Sequence, residues 1–277
     1  MNNTLNRIAL VLLAAGAFTA TASAQSSVTL YGRAVGGLQY IDKIDDGRGG
    51  TYSAKRAADN QWGTSMLGFK GQEDLGGGLK AYFKLEGGFS TKRGTFGGNA
   101  LFNRRSFVGL SSDALGSLQF GKNLQIINDV WYLDPTGQQS MGSATLVRER
   151  SWQGAKNVVE YSTPNWGGFG ATAQVGLGEI AGSMKNDSSA GVSIYYVGEA
   201  LELRAIYSQI YDANAQFTNA YNQSKEAIVG GTYKVGPAKI FAAYDHISAP
   251  DAPLARPSKV KHGWLGVRYD ATPVLTL

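Results

Sequence analysis

From Val28 onward, apolar and polar residues alternate with a period of two, the pattern of β-strands that keep one face apolar and the other wet. In the stretch 28–34, Val28, Leu30 and Ala34 fall on one face, and Thr29, Tyr31 and Arg33 on the other. Leu79, Ala81, Phe83 and Leu85 alternate in the same way with Lys80, Tyr82, Lys84 and Glu86. Turn signals break the pattern at Glu73 to Gly78, Ser111 to Gly116, Pro164 to Gly168 and Val235 to Pro237, where Gly, Asp, Asn and Pro supply turn conformations. Longer polar stretches lie between them at 42–61, 121–155, 212–224 and 248–261. The spacing predicts about twelve strands, starting near residues 27, 62, 78, 102, 115, 156, 169, 188, 200, 224, 236 and 259, with a thirteenth from Val274.

Alternation alone is also compatible with a secreted β-sandwich. Lys70, Lys80, Lys84 and Glu86 tip the balance, because they share faces with few apolar residues. Alternating short and long connections match the two ends of an outer-membrane barrel, whose strands turn apolar side chains to lipid and polar ones to a wet interior. No apolar run after residue 24 is long enough to span a bilayer as a helix. A membrane form must therefore be a closed barrel, since only helices and barrels satisfy every backbone group in lipid.

The N-terminus sets the compartment. Arg7, the apolar run from Ile8 to Phe18 and the small-residue pattern Ala22-Ser23-Ala24 read as a secretory leader over residues 1–24, leaving residues 25–277 as the barrel domain. The chain has 37 Gly, 14 Tyr and 11 Phe among 277 residues, and no Cys. Glycine at that level without a collagen period implies many turns and crowded strand walls. A cysteine-free exported chain has no disulfide framework. The formal net charge of +5 is spread along strands, so nucleic-acid binding is not expected.

Six blocks carry a resemblance: 27–32 (SVTLYG), 67–81 (LGFKGQEDLGGGLKA), 85–89 (LEGGF), 104–112 (RRSFVGLSS), 116–122 (GSLQFGK) and 159–164 (VEYSTP). In this order they make the chain resemble the Gram-negative general porins of the Burkholderia, Bordetella and Neisseria type. The resemblance implies a sixteen-stranded homotrimer in the outer membrane, with a third external loop folded into the lumen opposite a basic wall. The stretch from Leu124 to Ser151 is the expected constriction loop, with Asp129, Asp134, Arg148 and Arg150 as its charges. Arg33, Lys70, Lys84, Arg104 and Lys122 are the expected wall. Two positions depart from the family pattern: Met66 and Lys122 stand where arginines are usual. They predict a wider or less sharply charged constriction, offset in part by Arg33, while Arg105 is expected on the opposite side or at a strand end. Basic residues facing loop carboxylates would set up a transverse field that sorts solutes by charge, with a lean to anions.

Other chemistry is weakly encoded. Gly116 to Asn123 nearly matches a phosphate-binding loop, but its glycines lie on an alternating strand and not before a helix. His246 and His262, the only histidines, read as solvated loop or strand-end residues, outside any nucleophile or metal-ligand spacing. No cofactor or metal is expected, and the expected partners are membrane lipid, further copies of the chain, and small hydrophilic solutes and ions. A barrel lipase or protease, an envelope adhesin without a pore, and a non-functional porin fragment are the alternatives. The last arises because the sequence stops at Leu277 without the C-terminal aromatic that the resemblance implies, so the C-terminal strands are expected to be missing.

Overall fold

The computed structural model describes residues 27–60, 62–137, 154–211, 223–249, 259–272 and 275–276. The leader expected over 1–24, and Arg148 and Arg150, lie outside the described residues. The alternating stretches form strands β1 (Ser27–Arg33), β2 (Gly36–Asp45), β3 (Thr51–Asp59), β4 (Met66–Gly76), β5 (Leu79–Gly88), β6 (Arg105–Ser112), β7 (Gly116–Leu124) and β8 (Gly154–Ser162). They continue as β9 (Phe169–Gly176), β10 (Ser188–Val197), β11 (Leu201–Tyr211), β12 (Lys225–Val235), β13 (Ala238–Ser248), β14 (Lys259–Thr272) and β15 (Leu275–Thr276). Among the described residues, thirteen of them form one antiparallel sheet in the order β1, β4, β5 and onward to β15. β2 and β3 pair only with each other.

That hairpin is a departure from the sequence reading, which left residues 42–61 as a polar loop. Most of its side chains on both faces are exposed, so neither face carries the apolar periodicity that marks a half-buried strand. Its turn is nonetheless chemically explicit. Asp46 Oδ1 accepts from the Arg48 and Gly50 amides, and Gly47 and Gly49 take φ of 70° and 87°, values that glycine adopts without strain. At the base, Asp59 accepts from the Ser90 hydroxyl (2.5 Å), the Thr91 hydroxyl (2.8 Å) and the Lys92 amide (2.7 Å). Those bonds, Ser90 first, hold its carboxyl down at about 2.

Connections alternate between short and long. Tight turns join β4 to β5, β6 to β7, β8 to β9, β10 to β11 and β12 to β13 at one end, while the longer segments gather at the other. Antiparallel partners share a face, so register carries each face across the sheet. Leu30, Phe69 and Leu85 form one such row, Val108 and Phe120 another, and Tyr244 and Val229 a third. Among the described residues no layer covers these side chains: Leu30 and Val108 are 61% exposed and Leu265 is 78% exposed. A soluble sandwich would bury this face against a second sheet, so the sandwich reading fails. Tyr161, Phe169, Tyr233 and Tyr269, all exposed, stand on the strands beside the short turns, where an outer-membrane barrel carries an aromatic girdle.

The buried core lies instead on the polar side of the sheet. A 3₁₀ helix, Ile126–Leu133, follows β7 and touches β9, β10, β11, β12 and β13. One short helix can meet five strands only if the sheet curls around it. Ile127, Val130 and Leu133 pack on Ile206, Ile228 and Ile247, with Trp264 alongside.

Candidate functional site

Two groups of side chains organise the inner face. The first centres on Glu86, which is 1% exposed. Its Oε1 accepts from Arg104 Nε at 2.7 Å and Arg105 Nη1 at 2.6 Å, and its Oε2 accepts from the Tyr31 hydroxyl at 2.9 Å. Lys84 Nζ stands 3.8 Å from Oε2, and Lys70 and Lys84 lie over the Tyr31 ring, 5.8 and 5.5 Å from its centroid. Arg33 donates to the Thr64 carbonyl at 2.8 Å and packs over Trp62.

Glycine makes this reach possible. Tyr31, Gly68 and Glu86 stand side by side on β1, β4 and β5, and a Cβ on Gly68 would come within 2.7 Å of the Tyr31 ring. The tyrosine therefore lies flat across β4 and bonds two strands away. Tyr82 repeats the arrangement over Gly109 to reach Gln119 at 3.1 Å. A recess of about 580 Å³ opens on this wall, lined in part by Thr29, Lys70, Tyr82, Lys84 and Phe107.

The second group holds the loop after β7. Asp129 Oδ2 accepts from Ser193 Oγ at 2.5 Å and from Arg204 Nη1 at 2.8 Å. The Arg204 guanidinium lies 3.9 Å from the Tyr132 ring centroid and 4.9 Å from that of Tyr195, and pairs with Glu202 at 3.2 Å. Burial pushes the Asp129 carboxyl up, against the opposing pull of Arg204 and Ser193. Further along, Trp264 Nε1 donates to the Leu133 carbonyl (2.8 Å), and Arg268 donates to the carbonyls of Asp134 and Pro135. At the start of the loop, Gln174 donates to the Leu124 carbonyl and to Glu160, which also accepts from Gln119 and Asn123.

The structure redistributes the residues expected from sequence. Arg33, Lys70 and Lys84 stand in the inward rows, and Arg104 reaches them from just ahead of β6. Lys122 does not join them. It pairs with Ser106, which pairs with Leu85, so it belongs to the outward row of Leu30 and Phe69; its shared period-two parity with Leu118 and Phe120 already pointed there. Arg105, expected on the opposite side or at a strand end, opens β6 opposite Glu86 and faces inward. Among the described residues, the loop carboxylates Asp129 and Asp134 do not face the basic wall. Asp129 is spent on Arg204, and Asp134, fully buried, accepts from the Thr136 amide and hydroxyl to shape its turn.

His246 and His262 are strand residues of β13 and β14, not loop residues. His262 stacks on Trp264 at 5.4 Å and lies 3.4 Å from buried Asp245. Arg204, which anchors the loop, escaped the sequence reading although Leu201, Leu203 and Ala205 alternate with Glu202 and Arg204.

An uncovered apolar outer face, alternating short and long connections, and a charged inner face crossed by a docked loop define the class: an outer-membrane β-barrel protein with a wet interior. Comparison with known proteins agrees. The Gram-negative porin family model matches residues 9–277. The chain is 29% identical over 257 residues to an outer-membrane porin of Bordetella pertussis, covering 82% of this chain and 66% of that one. It is 36% identical over 182 residues to outer membrane porin protein 32 of Delftia acidovorans, covering 58% and 47%. Among solved structures, the anion-selective porin from Comamonas acidovorans superposes with a TM-score of 0.71 at 25% identity, covering 90% of this chain and 76% of that one. The chain thus spans about half to two thirds of the length of these sequence relatives. It belongs to the Gram-negative porin family.

Proposed function

We propose that this protein is a passive, water-filled channel for small hydrophilic solutes and ions, with a mild preference for anions, and not an enzyme. The inner wall carries the proposal: Arg33, Lys70, Lys84, Arg104 and Arg105 stand there around one carboxylate, Glu86. In a wetted lumen each charge is worth little, because water keeps the effective dielectric high and salt screens over about 8 Å. An excess of bases on one wall still raises the local concentration of anions, as fixed charge rings do in other pores. The helix Ile126–Leu133 stands on the inner face against β9 to β13, with its carboxylate, Asp129, turned to Ser193 and Arg204. The described loop carboxylates, Asp129 and Asp134, are taken up in anchoring and in a turn, so the selectivity is assigned to the wall. That a solved neighbour is described as anion-selective agrees with this reading.

Planar-bilayer recording tests it. Large, ohmic single-channel steps are expected, with a reversal potential in a KCl gradient of the sign for chloride preference. Absence of conductance would sink the channel, and a cation-sign potential would sink the selectivity. The same protein is proposed to be a homotrimer; chemical crosslinking in outer membranes should yield a ladder that ends at three chains.

A further inference from the structure

One cross-strand row of the inner wall joins two bases to an aromatic ring. Thr29, Lys70, Lys84 and Phe107 stand side by side on β1, β4, β5 and β6. The row continues to Gly121 of β7, which raises no side chain against the ring. Lys70 and Lys84 are directly opposite each other, an arrangement in which like charges destabilise a strand pair. Among the described residues, only Lys84 of the two pairs with a carboxylate, Glu86 at 3.8 Å. Glu86 is already held by Arg104, Arg105 and Tyr31, and Asp74, two inward rows toward the short turns, stands opposite Lys80. Phe107 is half-buried on this otherwise polar wall. It meets Tyr82 edge to face with ring centroids 6.2 Å apart, and Tyr82 itself lies flat over Gly109. The two rings and the two lysines line the recess of about 580 Å³, with hydroxyls from Thr29, Ser111 and Ser117 around them, a volume in the range of small-molecule sites.

We propose, on the reading of the chain as a channel, that this recess is a subsite for monocyclic aromatic carboxylates in transit. Attraction of small inorganic ions needs the lysines alone; a ring beside them adds an apolar surface that such ions do not use. The solute carboxylate sits between the ammonium groups of Lys70 and Lys84 and relieves their repulsion. The ring it carries reaches across one strand spacing, about 4.8 Å, to Phe107. Ring pairs favour centroid separations of about 4.5–7 Å, so a ring one bond from its carboxylate spans the distance. Water in the lumen keeps each ammonium's contribution modest, so the solute is retarded and not trapped.

The test is block of the KCl current through single channels in planar bilayers by three probes: sodium benzoate, sodium acetate and neutral benzamide. Benzoate should halve the current at a concentration about tenfold below that of acetate, and benzamide should leave it unchanged over the same range. F107L removes the ring and keeps an apolar side chain, so it should bring benzoate to parity with acetate, while F107Y should keep the preference. K70Q should raise the half-blocking concentration of benzoate several-fold, and K122Q, on the outward row, should not move it. Saturation-transfer NMR of benzoate with the full chain in detergent micelles reads the same subsite without a current. The ring protons should receive magnetisation from the parent chain and from F107Y, and much less from F107L or K70Q. Equal block by acetate or benzamide, benzoate block unaltered in F107L or K70Q, or loss of the preference in F107Y overturns the subsite and leaves the channel standing. Absence of conductance with a saturation-transfer signal that follows the variants overturns the channel and supports the subsite; absence of both overturns both.

Discussion

Removing the carboxylate of Glu86 would leave Arg104, Arg105 and Lys84 crowded together with nothing between them. Loss of one partner from a buried ion cluster costs about 3 kcal/mol, so E86Q should lower the thermal midpoint of the folded protein while moving the reversal potential further toward chloride. Face assignment can be tested just as directly. Lys84→Glu should shift the reversal potential toward cations, and Lys122→Glu, pointing outward, should leave it unmoved; a shift of equal size would mean the register at β7 is wrong. These two lysines also show what a sequence reveals at this scale. Lys122 shares the period-two parity of Leu118 and Phe120, so strict period-two reading would have placed it outside, where motif matching put it on the wall. Arg104 and Arg105 are different. Adjacent residues on one strand must diverge, and both reach Glu86 only because Arg104 precedes the first paired residue of β6, an offset that no composition or spacing encodes.

At the level of elements, the loop helix is held by packing more than by charge. Val130→Ala with Leu133→Ala should loosen it, since large-to-small changes in a closed core cost about 2–4 kcal/mol for a leucine. If the loop narrows the lumen, single-channel conductance should rise in this variant. The β2–β3 hairpin carries its own pH signature. Asp59 is held at about 2 by the hydroxyls of Ser90 and Thr91, below the ordinary value of about 3.9. A folded value below the unfolded one contributes stability at neutral pH that is lost as pH falls from about 4 toward 2. Protease cleavage within residues 42–58 should therefore accelerate over that window, and Asp59→Asn should be equally susceptible at every pH. Sequence reading found the turns and the paired sheet strands because each has one apolar face; it passed over this hairpin because neither of its faces is buried on the sheet.

For the molecule as a whole, the two-faced sheet was legible from alternation, while the curl around the loop was not. Ile206, Ile228 and Ile247 are apolar residues in inward rows, an apparent break in the pattern until the helix that covers them is seen. The outward rows make a further claim. Val229→Arg, in the middle of the apolar band, should destabilise insertion by about 2–4 kcal/mol, measurable as a lower denaturant midpoint for folding into lipid vesicles, whereas the same change at Tyr233, nearer the interface, should cost less.

The tyrosines laid over glycines carry a mechanical consequence. Tyr31 and Tyr82 each tie a strand to one two places away, so they act as hoops running around the wall, across the direction of the chain. A hoop resists sliding of the strand beneath it, because a slip of one residue would put a side chain where the ring now lies on bare backbone. It also keeps the wall thin, since an aromatic ring lying flat takes less of the lumen than one standing upright. The abundance of glycine would then serve calibre as well as turns: filling Gly68 or Gly109 with a methyl group should raise the ring above it and narrow the bore at that height.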